Sequence, residues 1–375
     1  MSSTVTRVLV GVFAALVALA CGGSNEAVKA AESASSAKEK PIALVPPPDP
    51  DYAQLESAMA AMDRGDYPRA IRGLEELRAR HPENGVVLHE LALTYRLAKK
   101  PGDAVKVLMP FRRRLPPEPL AGLGSALDEL GRNAEAIDVL SEGLRRYPRS
   151  GLLHAELGTA LYLRGKVNEA VELYKTGIDV DPETPANYFR LSLVLARSEY
   201  RGLTLVFGET FRLLEPTSER SHELARIMAA ICRDSVKRKT ASDGSIEATV
   251  TLAPTVEFEN QEQVADLPLV NVFELAFGPP LVRAHRDGLT LATLHAARVE
   301  FVALMNRPNS PFDWNSVPIF RFMREASANG MLETYDYWLY GPAFPEEFEA
   351  WAAANPSNAE ALGRYLGEHP LFGEP

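Results

Sequence analysis

Seven histidines and two cysteines set the limits of any metal or nucleophilic chemistry in this chain. His285 and His295 stand ten apart with no third ligand at metal spacing. His89-Glu90 begins the pattern in which two histidines one helical turn apart hold zinc, but Leu93 stands where the second histidine belongs. Gly122-Leu123-Gly124 follows no strand and precedes no Gly-Lys-Ser/Thr, so it is a packing element rather than a phosphate loop. There is no Gly-x-Ser-x-Gly elbow. Glu346, Glu347 and Glu349 suit the positive end of a helix and need no catalytic explanation. His285 with Arg283, Arg286 and Asp287 is the best remaining polar cluster. The expectation is a chain without catalytic residues, metal ligands or cofactor, whose work is done by surfaces.

Those surfaces need a scaffold, and 375 residues are enough for two domains. A hydrophobic fraction of 46% and a charged fraction of 24% fit a soluble globular chain and exclude wholesale disorder or many membrane spans. Lys+Arg 40 against Asp+Glu 50 leaves a net charge of −10, which argues against nucleic acid as a partner. Two cysteines cannot make a disulfide framework. The charge is unevenly placed: from Gly244 onward there are seven Arg, no Lys and 18 acidic residues. This shift marks a second domain with a different surface. A basic cluster, Arg96, Lys99, Lys100, Lys106, Arg112, Arg113 and Arg114, reads either as a solvated helix face or as a meeting point for anionic lipid or an acidic partner.

Arg7 precedes an unbroken apolar or small run over residues 8–20, then Cys21-Gly22-Gly23. Thirteen residues make a helix of roughly 20 Å, short of the about 30 Å of a hydrocarbon core. The run is therefore a secretory signal peptide. With Cys21 after Ala18-Leu19-Ala20, it resembles a bacterial lipoprotein signal, although Ala18 stands where that family usually has Leu. The resemblance implies an acylated Cys21 that anchors the chain to a membrane, facing the periplasm; an ordinary signal peptide cut near Ala20 is the alternative. Gly22 lacks the acidic character that retains some lipoproteins at the inner membrane, which favours the outer one. Residues 21–50, rich in Ala, Ser, Glu and Pro, are expected to form a flexible tether.

Between residues 51 and 216 one pattern recurs: a small residue, Ala twelve later, Pro twelve after that. The small residues are Ala58, Ala92, Gly124, Gly158 and Ser192, partnered by Ala70, Ala104, Ala136 and Ala170. The prolines are Pro82, Pro116, Pro148, Pro182 and Pro216. Small side chains on facing helices let two backbones approach closely, and proline ends the second helix. The fifth unit departs, with Thr204 at the Ala position and Gly208 where others have Leu74, Leu108, Leu140 and Tyr174. Its second helix is expected to be distorted or absorbed into the next domain.

The pattern resembles the tetratricopeptide repeat, with Leu91-Ala92-x2-Tyr95 and Leu157-Gly158 at the positions of that family's Leu-Gly-x2-Tyr signature. The resemblance implies antiparallel helix pairs stacked into a superhelix whose groove, lined by the first helices, binds protein segments. Groove residues are then Tyr52, Leu55, Met59 and Met62, followed by His89, Leu93 and Arg96, then Ser125, Asp128, Thr159, Tyr162, Phe189 and Leu193. The basic clamp some relatives use for a C-terminal carboxylate is missing. An apolar N-terminal half of the groove points to an amphipathic or extended apolar segment of another envelope protein as ligand.

The expected fold is mainly α: a solenoid of about five helix pairs over 51–216, a capping helix and linker over 217–243, and a smaller, mostly helical domain over 244–375. In the last, alternation over 246–252, continued by Val256 and Phe258, gives one strand or a short hairpin. Helical patterns follow at 270–277, 289–305, 317–327, 332–340, 345–354 and 358–367. Thirteen of the 30 aromatic residues lie between Phe312 and Phe372, which indicates a dense local core or, alternatively, an exposed aromatic surface. Three functions fit: a membrane-anchored, non-enzymatic adaptor; a pilotin-like assembly factor, for which the acidic domain is too large; or an enzyme in 244–375 with repeats that recruit substrate.

Overall fold

Helix boundaries in the first half of the chain are set by four turns and a row of prolines. Four successive pairs form: α1 (Asp51–Asp63) with α2 (Tyr67–Arg80), α3 (Gly85–Leu97) with α4 (Pro101–Leu108), α5 (Pro117–Glu129) with α6 (Asn133–Arg146), and α7 (Gly151–Leu163) with α8 (Val167–Val180). The turn inside each pair requires one residue at positive φ, supplied by Gly65, Lys99, Gly131 and Gly165. Glycine adopts it without a Cβ clash, whereas Lys99 does so at a steric cost. Asp66, Asn84 and Ser150 cap α2, α3 and α7 by accepting the backbone N–H three residues on. Pro82, Pro148 and Pro182 lie just past α2, α6 and α8, where a missing N–H stops the helix. Pro110 cuts α4 short, leaving one 3₁₀ turn at Met109–Phe111, and the Arg146 guanidinium takes up the carbonyls of Arg112 and Arg113 beyond it.

This computed structural model describes residues 40–240, 246–253, 268–286, 288–308, 310 and 312–372. The expected signal peptide, Cys21, the first part of the expected tether and the expected strand continuation at Val256 and Phe258 lie outside the described residues. Among the described residues no helix is long and apolar enough to cross a membrane.

Ala58, Ala70, Ala92, Ala104, Gly124, Ala136, Gly158 and Ala170 are all buried. A Cβ on Gly124 would stand 2.7 Å from the Leu140 side chain, and one on Gly158 2.5 Å from the Tyr174 ring. The pattern of small residues is thus the packing surface of the pairs. The end of the tether is not free, contrary to expectation. Ile42 is buried and donates its N–H to the Arg114 carbonyl at 2.9 Å, while the Asn84 amide holds the Val45 carbonyl. Gly85 leaves room for this arm, since a Cβ there would meet the Ala43 carbonyl at 2.5 Å.

The chain divides into two compact units between Asn187 and Tyr188, earlier than Pro216. The fifth pair, α9 (Pro185–Leu195) and α10 (Gly202–Leu214), falls almost wholly in the second. The reason lies in α10, which is buried without interruption from Gly202 to Arg212 and so forms a central helix rather than a solenoid edge. Thr204 satisfies its hydroxyl on the Ser192 carbonyl. Gly208 admits α11 (Glu219–Asp234): a Cβ there would stand 2.8 Å from the Met228 sulfur. The helix expected to cap the repeats, α11, packs its apolar side against α10, against α15 (Leu332–Tyr340) and against the turn Gly341–Ala343. Cys232 is buried on it, as expected of a small apolar residue, and burial pushes its thiol up to about 12.

Strand β2 (Ile246–Val250) pairs antiparallel with β1 (Val236–Thr240), a segment read from sequence as linker. Then come α12 (Leu269–Ala284), α13 (Leu291–Met305), α14 (Pro318–Ala328), α15, α16 (Pro345–Ala354) and α17 (Asn358–Glu368). α12 runs through Pro279 and Pro280, past its expected end at 277. Burial of Phe273, Phe277 and Leu281 on one stripe outweighs the lost hydrogen bonds. Six of the thirteen aromatics between Phe312 and Phe372 are buried and the other seven half-buried; in the core, Phe301 takes Phe273, Phe277, Trp314 and Phe320 edge-on at 5.4–5.7 Å.

Charge is buried beside that core. The Arg298 guanidinium, on α13, is held bidentately by Glu209 of α10 at 2.7 and 3.0 Å, and its Nε donates to Asp336 of α15. Tyr335 donates to Glu209, and His295 Nδ1 lies 2.8 Å from Asp336. Burial opposes the Arg298 charge, but Asp336 and Glu209 prevail and hold its pKa well above the ordinary value.

Two outcomes test this account. Ala136→Leu should cost about 1–3 kcal/mol by overpacking the third pair, read as a lowered midpoint in thermal unfolding; an unchanged midpoint would remove the packing role. Arg298→Met strands two buried carboxylates and should cost about 3–5 kcal/mol in urea unfolding followed by tryptophan fluorescence. A loss below about 1 kcal/mol would show that water already solvates the network.

Candidate protein-binding surface

The first helices of neighbouring pairs touch in succession, α1 with α3, α3 with α5 and α5 with α7, so their outward side chains share one face. Tyr52 is 41% exposed on it. Met59, Met62, His89, Leu93, Arg96, Ser125, Asp128, Thr159 and Tyr162 are half-buried, as is Leu193 in the second unit. Two expected groove residues are not available. Leu55, 2% exposed, shares its stripe with Ala58 and Ala61 inside the packing of α1. Phe189 is buried against Phe211 at 5.0 Å, with the Arg220 guanidinium over both rings.

The face has two chemical zones. Tyr52, Met59, Met62 and Leu93 offer partly exposed apolar surface, with the Thr94 hydroxyl 3.2 Å from the Met62 sulfur. Beyond them lie carboxylates. Ser125 donates to Glu156 at 2.7 Å, bridging α5 and α7, and Arg96 pairs with Glu129 at 2.7 Å, bridging α3 and α5. Burial, reinforced by Glu156, raises Asp128 to about 6. Burial and then Asp63 raise Glu90 likewise. One oxygen of each is buried with no hydrogen-bond partner. Burial also lowers His89, against the pull of Glu118. A cation reaching this zone would find carboxylates that like charges and burial destabilise, so the face favours a segment with both an apolar and a basic side chain.

Sequence reasoning missed Glu90 and Glu156. Glu156 precedes Thr159 by one helical turn, a spacing that placed it on the same face. Of the basic cluster, Arg96 pairs with Glu129, Lys106 with Asp103, Arg112 with Glu142 and Arg114 with Glu83, so four of its seven charges are locally paired. The polar cluster near His285 is also accounted for: the imidazole Nε2 sits 3.0 Å from the Cys232 carbonyl, and Arg283 pairs with Glu300. Among the described residues no group of three or more His, Cys, Asp or Glu is placed to hold a metal ion.

Residues 55–108 and 122–198 match the tetratricopeptide repeat family, and over these residues the chain carries tetratricopeptide repeats. Such repeats are a protein–protein interaction scaffold. Over 58 residues the chain is 36% identical to the small glutamine-rich tetratricopeptide repeat-containing protein 2 of Mycosarcoma maydis, covering 16% of each. Over 134 residues it is 30% identical to Protein FlbA of Caulobacter vibrioides, covering 35% of this chain and 22% of that one. The chain thus spans less than a quarter of the length of either relative. Among solved structures it is similar to a thermophilic TPR protein of Thermus thermophilus (20% identity, 48% of this chain and 98% of that one, TM-score 0.42). It is also similar to MamA of Desulfovibrio magneticus RS-1 (18% identity, 46% and 98%, TM-score 0.34).

Asp128 supplies a pH test. Its folded pKa lies above the unfolded value, so the folded chain binds the extra proton between about pH 4 and 6 and loses stability as pH rises through that window. Asp128→Asn should leave the melting temperature unchanged near pH 4 and raise it above about pH 6.5. The gain is about 1 kcal/mol, because the group is half in water. A shift independent of pH would mean that the carboxylate is fully solvated.

Proposed function

We propose that this protein is a non-enzymatic adaptor of the bacterial cell envelope, held at a membrane by acylated Cys21 and facing the periplasm. Its first-helix face binds an amphipathic segment of another envelope protein. The observation that carries the reading is the two-zone face itself. Apolar side chains of the ligand lie on Tyr52, Met59, Met62 and Leu93, and its basic side chains meet the carboxylates around Asp128 and Glu156. The half-exposed apolar zone favours an amphipathic ligand over a wholly apolar one, because the neighbouring carboxylates would be left unpaired against the latter. The apolar run before Cys21-Gly22 supports the anchor, and the neutral Gly22 supports the outer membrane as its place.

The test is affinity capture from detergent-solubilised envelope with the full chain and with its Met59→Glu/Leu93→Glu variant. A partner retained by the wild type and lost by the variant, whose helicity is unchanged, is the expected result. The same partners on both baits would exclude this face. In the same cells Cys21→Ser should move the protein from the membrane to the soluble fraction and abolish labelling by radioactive palmitate.

A further inference from the structure

α16 is a helix without a buried residue. Its two aromatic side chains, Phe348 and Trp351, are only half-buried; the Trp351 ring lies 4.7 Å from that of Tyr337 on α15 and 6.2 Å from that of Phe348. His295 meets the Tyr337 ring edge-on at 6.4 Å. The other tryptophans are spoken for, Trp314 in the aromatic core and Trp338 under the Arg212 guanidinium at 4.6 Å. The rings of α16 therefore form a surface of their own.

That surface is acidic as well as aromatic. From Glu325 to Gly363 the chain has no Lys, Arg or His, and it has seven carboxylates. Glu333, Glu346, Glu347 and Glu349 are exposed, and among the described residues none of them is in a salt bridge. This is unlike Glu209, Glu300 and Glu360 of the same unit, each of which has an arginine. Glu347 accepts the Leu291 N–H at 2.8 Å, which fixes α16 against the start of α13. Burial and then Glu333, Glu347 and Asp336 raise the Tyr337 hydroxyl, so the carboxylates gather at the edge of the rings. Negative ring faces beside unpaired carboxylates attract a cation by two additive effects.

We propose that Tyr337, Phe348 and Trp351, rimmed by Glu333 and Glu347, form a docking site for a basic segment of a partner protein, an arginine or lysine side chain lying over the Trp351 and Tyr337 rings. Charge complementarity selects this occupant: an anionic membrane is repelled by a region with 18 acidic residues against seven Arg, and a purely apolar partner would desolvate carboxylates without pairing them. The site is separate from the first-helix face and does not depend on it.

The test titrates the full chain with a twelve-residue Arg-Gly-Gly repeat peptide, and with its Glu-Gly-Gly counterpart, following tryptophan fluorescence and heat. The expected result is quenching by the arginine peptide alone, weakened about tenfold in Trp351→Ala and in the surface charge reversal Glu333→Lys. The second variant touches only an exposed side chain and keeps the fold. Lys166→Ala/Glu169→Ala, an exposed ion pair at the start of α8 outside both surfaces, should leave the quenching unchanged. Three results would overturn the proposal: no binding of the arginine peptide, binding unaffected by the charge reversal, or tighter binding to phosphatidylcholine vesicles, which would make the site a lipid-headgroup contact.

Discussion

Helices stack here only where a side chain has been removed to let them. A Cβ on Gly124 or Gly158 would run into Leu140 or Tyr174, and one on Gly73 would stand 3.3 Å from the Ala58 Cβ. Because interiors are packed to crystal density, such a site does not yield by a few tenths of an ångström without cost. The remaining features of the repeats answer to it. Positive-φ turns hold the two helices of each pair at that distance, and prolines end the second helix so that the next pair can begin. The first-helix face is then whatever the packing stripe leaves over. Leu55 is lost to it for that reason, because in α1 the buried stripe runs through Leu55, Ala58 and Ala61.

The fifth pair obeys the same constraint with a different neighbour. Gly208 makes room for Met228 and Leu224 of α11, and α10 becomes buried on every side. A helix enclosed in this way must neutralise any charge it carries, and α10 carries Glu209. Arg298 answers Glu209, Asp336 answers the rest of Arg298, and His295 takes the outer oxygen of Asp336. The network is thus the consequence of burying Glu209 on a mostly apolar helix at the centre of the second unit. Arg212 on the same helix is the less complete case: it stacks over Trp338 and donates to that residue's carbonyl, while burial lowers it to about 10.

What could be read in the chain beforehand was local. The twelve-residue interval between Gly158 and Ala170, and between Ala170 and Pro182, reports a helix pair because it spans a single turn and needs no distant partner. The later helices near 289–305 and 332–354 were legible for the same reason. The misses depend on distance in sequence. Arg298 lies 89 residues from Glu209, and nothing local marks either as buried. The partner of β2 could not be distinguished from a linker, because Val236-Lys237-Arg238-Lys239 has no apolar alternation of its own. Ile42 and Val45 lie in a stretch whose composition signals a tether, and only Asn84, Gly85 and Arg114 show why it docks. On the first-helix face the apolar residues announced themselves, whereas Glu90 and Glu156 looked like ordinary solvated charges until burial and neighbours were known.

The two proposed surfaces of this acidic chain would take one kind of ligand by different physics. On the first helices, carboxylates are raised because burial and like charges penalise their ionised form, so a cation there recovers free energy already spent in folding. On α16 the carboxylates are exposed, and the attraction comes from ring faces and a field that salt screens. Binding at the first should therefore resist salt and vary with pH near 6, where Asp128 titrates. Binding at the second should weaken steeply with salt. The two contributions can be separated in one intact chain by varying ionic strength and pH independently, because burial shields a charge from counterions and exposure does not.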